Sequence, residues 1–195
     1  MNKRGFSVLA VLVVLGGCSG GDEAETEVMA GDTTVMVQSD SGMAGMEGMT
    51  PAQDPDHEFL RMMVNHHAGL VALAAEAVTR ASDDSVRTAA NMLQQKQQAE
   101  QDSMSAMIQR MYNEQPHVMP MPKNMAQVDS LKQTTGTAAD QYFLRTVIAH
   151  HQEGIPMIDQ FLPRSTKPEV RQMAEMMKAD QQAEITELQG KLSSL

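Results

Sequence analysis

One cysteine, no tryptophan and 3% aromatic residues leave this 195-residue chain short of several common structural devices. A lone cysteine excludes a disulfide framework and a thiolate metal site. Stability must therefore come from a packed core. Basic residues are outnumbered, with 15 Lys and Arg against 25 Asp and Glu and a net charge of −10. An acidic chain without a basic patch argues against nucleic acid as a partner. β-Branched runs are short and no alternating apolar–polar pattern occurs, which argues against a sheet. After Cys18 no apolar run approaches the roughly 20 residues needed to cross a bilayer.

What the N-terminus does contain is an address. Lys3 and Arg4 precede an apolar run from Phe6 to Leu15, which ends in Leu-Gly-Gly-Cys. That is the layout of a signal peptide. Its last four residues resemble a bacterial lipobox, so residues 1–17 are expected to be removed and Cys18 lipidated. The protein would then be exported and lipid-anchored to a bacterial membrane, facing the periplasm or the cell exterior. Residues 18–53 carry Gly, Ser, Asp, Glu, Thr and Met without periodicity, and read as a disordered tether.

From Asp56 onward the chain repeats itself at one constant offset. Asp56, Phe59, Leu60, Arg61, His66 and His67 fall on Asp140, Phe143, Leu144, Arg145, His150 and His151. Arg80, Val86, Arg87, Ala90 and Met92 fall on Arg164, Val170, Arg171, Ala174 and Met176, and Gln97-Gln98-Ala99-Glu100 falls on Gln181-Gln182-Ala183-Glu184. Each unit has the apolar spacing of two helices. The expected starts are Asp54 capping before Pro55, Ser82 capping the second helix, and a capping box in Thr166–Glu169. Residues 54–192 thus read as an all-α four-helix bundle of two duplicated hairpins (54–112 and 138–192), joined by a proline-rich linker over 113–137. Pro156 lies inside the third bundle helix and is expected to kink it.

Polar residues interrupt the inner stripes at matching places. Adjacent helical residues point about 100° apart, so His66 and His67 cannot chelate one ion as a doublet, and neither can His150 and His151. Each must face a different neighbour. Glu100 and Glu184 stand at inner positions one turn after Gln97 and Gln181, and a buried carboxylate needs a proton, a cation or a donor. A pseudo-two-fold arrangement would gather the four histidines and two glutamates near the bundle centre, with Gln97 and Gln181 behind them. This is how bundles build metal sites. The same set could equally be a hydrogen-bond network that fixes helix register. The Glu-x-x-His pairs of di-iron bundles are missing from the helices, and the spacing occurs only at Glu114 and His117 in the linker. No nucleophile motif points to an enzyme. A metal-dependent redox activity is the weakest of the alternatives.

Nineteen methionines are the other excess. Many sit on apolar stripes, where Met fills gaps. Met43, Met46 and Met49 do not, since they recur every third residue in the tether. His117, Met119 and Met121 alternate in the proline-rich linker. Thioethers are soft ligands that favour Cu(I), and imidazole also suits copper. Copper, as Cu(I) or Cu(II), is the expected ion, with zinc and iron as open alternatives. A homo-oligomer or a metal-exchange protein would be the partner.

The segments "FLRMMVNHHAGLVALA" and "FLRTVIAHHQEGIPMI", with the Gln-x-x-Glu elements that follow, resemble the domain-of-unknown-function 305 family over residues 54 to 192. The resemblance implies an exported protein with a ferritin-like four-helix fold, paired His-His motifs at His66, His67, His150 and His151, and copper handling in some relatives. The sequence departs from that pattern at Pro156, and at Ala68-Gly69 against Gln152-Glu153, so the two halves need not be equivalent.

Overall fold

A computed structural model describes residues 54–195 of the chain. Cys18, Met43, Met46 and Met49, and with them the expected signal peptide and tether, lie outside the described residues. The described part is all-α and contains no strand. Its helices are α1 (Pro55–Arg80), α2 (Asp84–Tyr112), α3 (Pro122–Lys132), α4 (Gly136–Phe161) and α5 (Pro168–Ser194), with a 3₁₀ turn at Leu162–Arg164. α1 packs on α2 and α4 on α5 as two antiparallel hairpins, and α1 meets α4 between them. The result is a ferritin-like four-helix bundle with α3 laid against α1 and touching α4. Among the described residues no helix is long and apolar enough to cross a membrane.

Helix starts follow local chemistry, with two corrections. Asp54 caps α1, accepting from the backbone N–H groups of Asp56 at 2.9 Å and His57 at 3.4 Å, with Pro55 opening the helix. Asp83, not Ser82, caps α2, its carboxylate accepting from Ser85 and Val86 at 2.8 and 3.2 Å. The box expected in Thr166–Glu169 is not made. Lys167 holds the N-cap position without a side-chain bond, and Pro168 opens α5.

Ser82 and Thr166 are instead drawn into long-range contacts. Asp140, at the start of α4, accepts from the Ser82 backbone at 2.9 Å, from the Ser82 hydroxyl and from the Asp83 backbone at 3.1 Å. Asp56, at the start of α1, accepts from the Ser165 hydroxyl at 2.6 Å, the Thr166 backbone and hydroxyl at 2.9 and 2.7 Å, and the Lys167 backbone at 3.2 Å. Each repeat therefore closes the turn of the other. Both carboxylates are fully buried. Burial pushes Asp56 up, but the bonds from Ser165 and Thr166 outweigh it and hold the group below the ordinary range.

One further feature departs from the sequence expectation. The linker 113–137 is not a plain connection, because Pro122 begins α3, where a proline's missing N–H costs nothing. Val128 and Leu131, three residues apart, bury α3 on the bundle. Pro156 is accommodated without breaking α4, which runs unbroken from Gly136 to Phe161. The carbonyl that loses its donor belongs to Gln152, and both residues are exposed, so water can serve it.

The core is divided. Toward one end, Leu70, Leu73, Val86, Leu93, Phe143, Leu144, Val147 and Leu188 pack in a cluster that contains no methionine. Toward the other end, Met63, Met104, Met107, Met173 and Met177 pack with Phe59, Leu60, Ile108, Ile158 and Phe161. A layer of histidine, glutamate and glutamine lies between.

Candidate metal centre

The polar layer takes one segment from each of the four bundle helices. His66 and His67 come from α1, Gln97, Glu100 and Gln101 from α2, His150 and His151 from α4, and Gln181 and Glu184 from α5. The rings within each doublet diverge as helical geometry requires, with centroids 6.0 Å apart in the first and 6.4 Å in the second. His67 and His151 are fully buried, and His66 and His150 nearly so.

Each histidine faces a different helix. The His67 Nδ1–H donates to the Met63 carbonyl at 2.9 Å, and its Nε2 lies 2.9 Å from Glu100 Oε2. His151 Nε2 approaches Glu184 Oε2 to 2.7 Å, but off the axis of a hydrogen bond, and neither atom has another hydrogen-bond partner. His151 Nδ1 is also unpartnered, although its counterpart in His67 is bonded. His66 and His150 turn toward one another. Their rings are 3.9 Å apart, and His66 Nδ1 lies 3.2 Å from His150 Nε2. Burial, reinforced by His150 and the other doublet residues, holds His66 well below the usual histidine range. Burial, then the neighbouring charges, lowers His150 to about 3. Both are neutral imidazoles near neutral pH.

Three residues of the layer, Gln101, Asn124 and Lys96, are not singled out by the sequence. Asn124 of α3, buried, presents its side-chain amide 3.4 Å from His150 Nδ1. It occupies the space over Gly69, where a Cβ would lie 2.5 Å from the Asn124 side chain. Lys96 of α2 reaches across to α5, with Nζ 2.8 Å from Glu184 Oε1 and 3.0 Å from Asp180. Burial disfavours the ammonium, but bonds to Glu184 and Asp180 win and raise its pKa. Glu184 moves the opposite way, because contacts with His151 and Lys96 overcome its burial. Lys96 and Asp180 are repeat-equivalent positions carrying opposite charges, which is a signal the sequence did contain. Nothing in the sequence flagged Asn124.

The remaining expected residues are placed elsewhere. Gln97 and Gln181 are buried in the layer, and their carbonyl oxygens have no hydrogen-bond partner. Gln97 reaches toward Glu100 at the long limit of 3.5 Å. His117 and Met119 are exposed on the linker and Met121 is half-buried ahead of α3. The linker is fastened beside the first doublet, since the Met119 N–H donates to the Asn65 side chain at 2.8 Å. Glu114 lies 3.0 Å from His57 and 3.3 Å from Arg61, apart from His117.

Among the described residues, no three imidazole, carboxylate or thiolate groups converge as a ready ligand set. What the layer holds is pairs, each from two helices. The donor set nonetheless suits a cation. Imidazoles face carboxylates, and the side-chain oxygens of Gln97, Gln101 and Gln181, with Oε2 of Glu184, are buried without a hydrogen-bond partner.

The sequence matches the family described as "Domain of unknown function (DUF305)" over residues 17–108 and again over 56–192. No curated protein matches it. Among solved structures, a DUF305 fragment from Deinococcus radiodurans is 29% identical, with a TM-score of 0.66, covering 75% of this chain and all of that one. A DUF305 protein considered secreted, from Streptomyces coelicolor, is 23% identical, with a TM-score of 0.65, over 72% of this chain and 92% of its own. CopM in its Cu(II)-bound form is 24% identical, with a TM-score of 0.64, over 71% and 96%. CopM has also been solved bound to Cu(I) and to Ag.

Proposed function

This chain belongs to the domain-of-unknown-function 305 family, and from that premise we propose that it is an exported, lipid-anchored copper-binding protein that buffers or relays the ion. His66, His67, His150, His151, Glu100 and Glu184 hold copper in the bundle, and Gln97 and Gln181 orient them. Met43, Met46, Met49, His117, Met119 and Met121 capture Cu(I) outside it. Cys18 carries the lipid. Here copper is cargo, and no reaction is required of the protein.

One observation supports this reading above the others. A carbonyl can only accept, so Nδ1 of His67 carries the hydrogen of the bond to Met63, and a ring with a single N–H then has its lone pair on Nε2. Its Nε2 lone pair then faces a carboxylate oxygen 2.9 Å away. Two lone pairs at that separation repel unless a proton or a metal ion stands between them. A backbone carbonyl that fixes the tautomer from behind is the usual support of a metal-bound histidine. The copper- and silver-bound forms of CopM, which share the fold, favour a soft ion.

A second reading rests on the same atoms. If a proton fills the His67–Glu100 contact, the layer is a hydrogen-bond network that specifies helix register. Native mass spectrometry separates the two, with the chain titrated with Cu(I), Cu(II) and zinc beside a His67→Ala/His151→Ala variant. Copper retained by the wild type and lost by the variant is expected. Equal retention by both would sink the metal reading of the bundle.

A further inference from the structure

The two halves of the layer match in sequence but not in charge or softness. Glu184 has an ammonium on one oxygen, since Lys96 lies 2.8 Å from Oε1. Among the described residues, Glu100 has no lysine or arginine partner, and His67 is its only ion-pair neighbour. The cause is a single pair of repeat-equivalent positions. Lys96 stands where the other unit has Asp180, so the layer has one ammonium, and it points at α5 rather than at Glu100 on its own helix.

A second difference points the same way. Met63 precedes His67 by one helical turn and Met104 follows Glu100 by one, and both are fully buried. Their repeat equivalents are Val147 and Leu188, which offer no ligand atom. Helical side chains lean toward the N-terminus, so Met104 leans back toward the Glu100 turn. By this spacing only the first half-site combines an imidazole, a carboxylate without an ammonium partner and, from Met104, a thioether leaning toward it.

Building on the metal-binding reading above, we propose that the half-sites are filled in order, with a soft monovalent cation entering at His67–Glu100 first and being held off His151–Glu184 by Lys96. Lys96 is thus a specificity-determining residue that touches neither histidine through a formed bond. It acts by occupying the second carboxylate with a charge of its own. A nearby fixed positive charge disfavours a second cation by more than tenfold in affinity at an effective dielectric of about 20.

The test uses silver(I) as the probe, redox-silent and diamagnetic, on the full chain in detergent. Histidine ring resonances are followed by NMR through the titration. In the wild type the His67 ring is expected to reach half-shift at free silver at least about tenfold lower than His151. Exchanging the charges, with Lys96→Asp and Asp180→Lys together, keeps the interhelical ion pair and moves the ammonium to Glu100. That variant should reverse the order. Lys96→Met is a second variant, should the exchange disturb folding, and brings the His151 half-shift down toward that of His67. Rings that shift together in the wild type, or an order unmoved by both variants, overturn the proposal and leave the metal-binding reading standing. Rings that never shift overturn both.

Discussion

His66 Nδ1 and His150 Nε2 meet at 3.2 Å, so two residues at the same place in two repeats share one proton across the bundle. Asn124 extends the line, its amide donating to His150 Nδ1, which leaves His150 Nε2–H to donate to His66. The chain of donors is consistent only while both rings are neutral.

That neutrality makes the metal-free protein acid-sensitive. The folded pKa values of both histidines lie below the unfolded value of 6.5. Between them the unfolded chain binds more protons, so stability is full above pH 6.5 and falls as pH drops toward 3. For His150 the expected loss approaches about 1.4 kcal/mol for each pH unit in that window, and His66 adds to it in the same direction. Urea denaturation at pH 7.5 and pH 5 checks it, and His150→Gln should flatten the dependence. An unchanged slope in that variant would place the acid sensitivity elsewhere.

The crossed turn contacts should be costly to remove. Asp56→Ala strands the donors of Ser165, Thr166 and Lys167, and Asp140→Ala strands those of Ser82 and Asp83. Each is expected to destabilise the fold by about 2–4 kcal/mol, since charge-assisted bonds are lost and buried donors go unpaired. Denaturant midpoints report the loss. Equal effects in the two variants would reflect the symmetry of the fold.

Gly69→Ala tests the seat of α3. The added methyl would lie 2.5 Å from Asn124, and its displacement takes the amide away from His150. A loss of about 1–3 kcal/mol is expected from overpacking. Hydrogen exchange should rise first in residues 122–132. The double variant with Asn124→Ala should recover part of that stability.

Pro156→Ala should stabilise the protein. The proline sits on the exposed face of an unbroken helix, so alanine restores a bond to Gln152 without a steric demand. A gain of up to about 2 kcal/mol is expected, because the entropy of the unfolded chain offsets part of a roughly 3 kcal/mol helix penalty. Thermal denaturation measures it.

The parts of this fold that the sequence revealed are those with a period. The constant offset disclosed the duplication, apolar spacing disclosed four helices, and polar interruptions of those stripes disclosed His66, His67, His150, His151, Glu100 and Glu184. Contacts between elements left no such trace. Ser82 looked like a cap because the claim of Asp140 on its hydroxyl comes from the other repeat. Thr166 resembles a cap for the same reason, with Asp56 as the claimant. Prolines in the linker read as breakers, yet Pro122 in the first turn starts a helix, so α3 and Asn124 leave no signal in the sequence. Lys96 interrupts no apolar stripe, and only its opposition to Asp180 across the repeat marks it in the sequence.

The crossed contacts of Asp56 and Asp140 have one more consequence. Neither hairpin contains the group that finishes its own turn, so neither is a complete structural unit. A single hairpin alone could find that group only in a second copy of itself. Such a tie resists gradual loosening, because a hairpin that swings away surrenders its own closure and that of its neighbour in the same movement. Separating the hairpins therefore breaks both closures together.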